Sequence, residues 1–107
     1  MSLYFKIATF YEFKTLNNLN EFSNLLKDFC KNKKILGSII LAPEGINGTI
    51  AGLPDSINEF VNYMEKLKFE NLNIKYSKTS KMPFYRNKIK IKKEIVTFLN
   101  EPINPEQ

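Results

Sequence analysis

The sequence predicts an α+β fold of the ferredoxin-like type, a β-α-β-β-α-β sandwich with an additional C-terminal strand. Three observations lead there. Two segments place apolar residues at helical spacing. Segments rich in β-branched and aromatic residues alternate with them. Each helical segment follows an odd-numbered strand, the order of a split β-α-β unit whose two helices cover one face of a sheet. At 107 residues the chain is long enough for one independent core.

Residues 3–13 read as the first strand. At period two, Leu3, Phe5, Ile7, Thr9, Tyr11 and Phe13 share one face, and Tyr4, Lys6, Ala8, Phe10 and Glu12 share the other. Neither face is purely polar, so this strand belongs inside its sheet. Asn17, Asn18 and Asn20 offer capping side chains ahead of a helix whose stripe is Phe22, Leu25, Leu26, Phe29 and Cys30. Residues 35–42 form a short buried strand. Pro43, Glu44 and Gly45 then suit a type I turn with Gly45 left-handed, and residues 46–52 return. A turn at Asn47-Gly48 is the competing register, disfavoured because it would place Pro43 inside a paired strand.

Ser56 and Glu59 have capping-box spacing, with Asp55 the alternative cap, and Ile57, Phe60, Val61, Met64 and Leu67 make the second stripe. Leu72, Ile74 and Tyr76 alternate with polar residues as a fourth strand. Ile89 and Ile91 alternate with Lys88, Lys90 and Lys92, and residues 95–99 extend or follow that strand. Pro102 and Pro105 read as the start of a linker, giving a domain over 1–99 and linker over 100–107.

Several kinds of chemistry are excluded by composition. The chain has no His and one Cys, which removes histidine general bases, Ser-His and Cys-His pairs, an internal disulfide and the usual transition-metal sites. No cofactor and no metal are expected in this chain. Cys30 lies on an apolar stripe, where core packing is its expected role. No apolar run approaches the ~20 residues of a membrane span, and the first residues lack the order of a signal peptide. The expected location is the cytoplasm, away from any membrane.

The charge of +5 is unevenly spread. Residues 66–93 hold nine Lys and Arg86 against Glu70, whereas residues 1–65 are nearly balanced and residues 94–107 carry three acids and no base. A block of this kind is either an electrostatic footprint for a polyanion or a solvated lysine face.

The stretch Leu36-Gly37-Ser38-Ile39-Ile40-Leu41-Ala42-Pro43-Glu44-Gly45-Ile46-Asn47-Gly48-Thr49-Ile50-Ala51-Gly52 resembles the hallmark of the N-terminal domain of the bacterial rhodanese-containing tRNA uridine hydroxylases (the TrhO family). That hallmark is Gly-x-Ile-x-Leu-Ala leading into Glu-Gly-Ile-Asn-Gly-Thr. Phe10-Tyr11-Glu12-Phe13, Pro83-Phe84 and Lys93-Glu94-Ile95-Val96-Thr97 match in family order. The resemblance implies an acylphosphatase-like domain that precedes a rhodanese-like domain bearing an essential cysteine loop. It also implies a full-length enzyme making 5-hydroxyuridine at the tRNA wobble position in an oxygen-dependent reaction. No rhodanese loop lies within these 107 residues, and Cys30 matches nothing catalytic in the family. The implied partners are therefore tRNA and the rhodanese-like domain, and this chain alone is expected to be inactive.

Two groups of residues are candidates for contact. Glu44, Gly45, Ile46, Asn47, Gly48 and Thr49, the family-motif loop, form either a turn held by its own side chains or a docking contact. Lys78, Lys81, Tyr85, Arg86, Lys88, Lys90 and Lys92 form the candidate nucleic-acid-binding set. Lysines meet phosphates as point charges, while Tyr85 and Arg86 offer planes for an unpaired base. A solvated edge strand is the competing account of Lys88, Lys90 and Lys92. A base-stacking platform on the third strand is disfavoured, since Asn47, Thr49 and Ala51 offer no aromatics. A stand-alone acylphosphatase is disfavoured too, because the lone arginine, Arg86, is far from the first strand-to-helix connection. An interaction module docking through the open sheet face remains the alternative.

Overall fold

The computed structural model describes residues 3–93. Its elements are β1 (Phe5–Phe13), α1 (Leu19–Lys33), β2 (Leu36–Ala42), β3 (Gly45–Gly52), α2 (Pro54–Lys66), β4 (Asn73–Thr79) and β5 (Asn87–Ile91). The sheet order is β4-β1-β3-β2-β5. The first four strands pair antiparallel as in a ferredoxin-like sandwich, and β5 adds itself parallel to β2. The predicted element order is thus the observed one. The expected extension over residues 95–99, the boundary at 99 and the linker prolines lie outside the described residues.

Both helices lie on one face. There Ala8 and Phe10 of β1, Ile39 and Leu41 of β2, and Ile46 and Ile50 of β3 meet Leu26, Cys30, Ile57, Phe60 and Met64 from the helices. Ring contacts knit this layer: Phe60 packs against Phe10 with centroids 5.5 Å apart, and Phe29 stacks on Tyr63 at 4.4 Å. Glu12 points into the same layer and is buried, with its carboxylate accepting a bond from the Asn71 backbone N–H at 3.1 Å.

Some local expectations are corrected. Asn18 is the N-cap of α1, yet its side chain makes no capping bond. Helix α2 starts from Leu53 with Pro54 in its first turn, so neither the Ser56–Glu59 box nor Asp55 caps it. Proline suits that start, because its fixed φ is already helical and it removes one of the N–H groups that would lack a partner there. Leu25 is exposed, while Ser23 takes a buried place beside Leu26 and Cys30. The turn at Pro43-Glu44 is as expected. Gly45 has positive φ, but at +154° it is nearer extended than left-handed helical, because it already pairs with Ala42 and Phe13. A Cβ there would lie 2.3 Å from the Glu12 carbonyl oxygen.

Candidate nucleic-acid interface

Strand β5 places the basic residues by simple alternation. Ile89 is paired with Ile39 and faces the helices, packing against the core. Lys88 and Lys90, beside Ser38 and Ile40, therefore project from the opposite, open face. Lys92 follows the strand, its backbone N–H bonded to the Leu41 carbonyl at 2.8 Å. At the other end the Arg86 carbonyl accepts from Gly37 N–H at 3.0 Å, which fixes where β5 begins. Gly37 is needed there: its φ is +137°, and a Cβ would sit 2.2 Å from the Thr49 carbonyl oxygen. Phe84, Tyr85, Arg86 and Lys88 close around Gly37 and Ser38 in a shallow depression of ≈ 290 Å³. Tyr85 is 99% exposed and offers both ring faces to a ligand.

The seven basic and aromatic candidates do not form one patch. Tyr85, Arg86, Lys88, Lys90 and Lys92 gather at the β5 edge, and Lys81 lies in the connection between the two outer strands, its N–H near Thr79 Oγ1. Lys78 sits on β4, at the opposite edge of the sheet, about 19 Å away by strand spacing. It faces the helix side, paired with Lys6, whose ammonium reaches Asn58 of α2 at 2.9 Å. Here Lys6 Nζ lies 4.3 Å from the Tyr76 ring centroid and Lys78 Nζ 5.1 Å from that of Tyr4. Among the described residues none of Lys6, Lys78, Lys88, Lys90 and Lys92 has a carboxylate within ion-pair distance; the pair formed is Lys33–Glu59 at 2.6 Å.

Of the motif residues, Glu44 lies in the turn and Gly45 to Thr49 belong to β3, so the stretch is an interior strand and not a loop. Ile46 is in the core, and Gly48 leaves room for the Phe10 ring, which a Cβ would meet at 2.9 Å. The carbonyls of Pro43 and Glu44 accept from Leu16 and Lys14 N–H, binding the turn to the β1–α1 connection. Asn47 does not hold the turn through bonds to nearby backbone. It is 2% exposed, and among the described residues neither amide atom has a partner. Thr49 and Thr9 approach through their hydroxyls at 3.3 Å.

The open face is uneven. Ile40, Ala42, Asn47 and Ala51 are buried, whereas Thr9, Tyr11 and Phe13 are exposed, with the two rings edge-to-face at 6.1 Å. The aromatics of this face thus lie on the first strand and not on the third. Tyr4, Lys6 and Tyr76 were missed by sequence reasoning. The signal was present, since Tyr4 and Lys6 alternate onto one side of the first strand and Tyr76 and Lys78 onto one side of the fourth, but only the pairing of those strands brings them onto one face.

No site for nucleophilic chemistry emerges among the described residues. Cys30 is fully buried, and burial pushes its thiol up to about 12, with the nearby Asn87 side chain acting the other way. No cluster of potential metal ligands occurs among those residues, and no helix there is long and apolar enough to cross a membrane.

A ferredoxin-like sandwich with an appended edge strand and a lysine ridge is the class of domain defined here. More narrowly, the chain belongs to the family described as the UPF0176 acylphosphatase-like domain, whose model matches residues 5–95. It is similar to proteins named tRNA uridine(34) hydroxylase. The one from Bartonella quintana is 48% identical over 102 residues, covering 94% of this chain and 34% of that protein. That of Bradyrhizobium diazoefficiens is 41% identical over 105 residues, covering 94% and 41%. That of Teredinibacter turnerae is 42% identical over 100 residues, covering 92% and 31%. The chain thus spans between 31% and 41% of the length of these three relatives.

Proposed function

We propose that this chain is the N-terminal, tRNA-contacting accessory domain of an oxygen-dependent tRNA wobble-uridine 5-hydroxylase, acting in the cytoplasm. The chemistry belongs to a rhodanese-like domain beyond these residues. One observation carries the RNA contact: Lys88, Lys90 and Lys92 lie along one edge with no carboxylate partner among the described residues, beside the exposed Tyr85 and Arg86. Backbone phosphates would meet the ammonium groups, and an unpaired base would meet Tyr85 or Arg86. Contacts of this kind are weak, sequence-independent and salt-sensitive.

Titration of tRNA at several salt concentrations tests the reading. Neutralising about four phosphates on a single-stranded region gives a slope near −3 in log affinity against log salt. Replacing Lys88, Lys90 and Lys92 with Ser should flatten it by roughly 2 units. Replacing the exposed Lys27, Lys31 and Lys34 should do much less. Equal effects of the two triplets, or no binding at low salt, would overturn it. The exposed Tyr11–Phe13 pair favours a second reading, a protein-interaction module docking through the open face, which then takes over.

A further inference from the structure

At the β4 edge, Lys6 and Lys78 stand directly opposite each other on paired antiparallel strands. Like charges in that arrangement repel and weaken a sheet unless something between them is negative. No carboxylate among the described residues fills that role, and Lys6 instead meets the neutral amide oxygen of Asn58. Each ammonium rests over a tyrosine ring, Lys6 on Tyr76 and Lys78 on Tyr4, a partial compensation at an exposed site. Tyr4, Lys6, Tyr76, Ser77 and Lys78 together line a depression of ≈ 270 Å³, and Tyr76 keeps 48% of its surface in solvent.

We infer that this cluster binds one unpaired nucleotide of a single-stranded RNA segment, its phosphate between the Lys6 and Lys78 ammonium groups and its base against Tyr76 and Tyr4. The inference rests on reading the chain as an RNA-contacting domain. A phosphate alone would satisfy the two lysines and leave the rings idle. A base alone would stack and leave the like charges facing each other. A nucleotide answers both, since any base has a face to stack and every unit of the strand carries one negative charge. The site is separate from the β5 ridge, at the far edge of the sheet and on its helix side.

The test uses the 107-residue chain with a fluorescently labelled short oligouridine at low salt, read by anisotropy. Tyr76→Leu should weaken binding about tenfold, the loss of one stacked base. Tyr76→Phe should bind as the wild type does, and Lys6→Ser with Lys78→Ser should weaken binding and flatten its salt dependence. The Tyr76→Leu effect should persist when Lys88, Lys90 and Lys92 are Ser. Oligouridine affinity unchanged in Tyr76→Leu, no oligouridine binding at all, or a loss matching the unfolded fraction seen by circular dichroism would overturn the inference. Parallel tRNA titrations keep the two readings apart. Binding to tRNA that depends on the β5 lysines and ignores Tyr76 leaves the accessory-domain reading standing and removes this site.

Discussion

The Cys30 thiol faces the core from α1 and meets the Asn87 side chain at the start of β5. Its ordinary value of 9.0 rises to about 12 because burial penalises the thiolate. The native state therefore keeps a proton that the unfolded chain releases between pH 9 and 12, so this group's contribution is intact below about pH 9 and falls above it. Denaturant melts should show wild type losing up to about 1.4 kcal/mol more per pH unit than Cys30→Val across that window. Equal slopes would place the thiol in water. At neutral pH a thiol reagent should modify Cys30 only as the domain unfolds. Gly37 is constrained by backbone: Gly37→Ala combines a positive φ with a contact at 2.2 Å, and should destabilise by more than about 1 kcal/mol in thermal or urea melts.

At the scale of elements, helical spacing identifies which residues pack. Leu26→Ala and Phe60→Ala, both fully buried, should each cost roughly 2–5 kcal/mol in denaturant melts. Leu25→Ala should change little, because that residue is exposed. Period and turn chemistry made every described strand and helix legible, since apolar alternation and proline geometry act locally. The centre of the α1 stripe was less legible. A stripe spans a wide arc, and the helix turns Ser23, Leu26 and Cys30 inward where it packs over β2 and β5. The placement of the basic candidates was half legible. Lys78 and Lys88 look like neighbours along the chain, yet the sheet order sends them to opposite edges. Alternation placed Lys88 and Lys90 away from Ile89 correctly, because period two needs no knowledge of partners.

For the whole molecule, charge is organised by edge more than by face. Lys88 and Lys90 border one side of the sheet and Lys75 and Lys78 the other, with Tyr11 and Phe13 exposed on the open face between the edges. Charged side chains on outer strands also discourage edge-to-edge pairing with a second sheet. The proposed division of labour gives a test at this scale. Incubating the chain with unmodified tRNA and oxygen should yield no 5-hydroxyuridine by nucleoside mass spectrometry. Turnover that depends on Cys30 would contradict its burial and the division itself.

Strand β5 joins the sheet by one parallel ladder, to a partner about fifty residues earlier in the chain, after a connection that starts at the far edge. Loop-closure entropy opposes such a pairing until the rest of the sheet exists. The inner strands β1, β3 and β2 can close around the core first, leaving the outer strands, β5 among them, to dock later and open more readily. Amide hydrogen exchange should therefore be faster at Ile89 and Ile91 than at Ile46 and Ile50. The lysines proposed to meet RNA would then be gathered only while that late strand is seated, and a bound polyanion should slow exchange in β5 more than in β3. In this protein the affinity for a negatively charged partner and the lifetime of an outer strand would be one linked quantity.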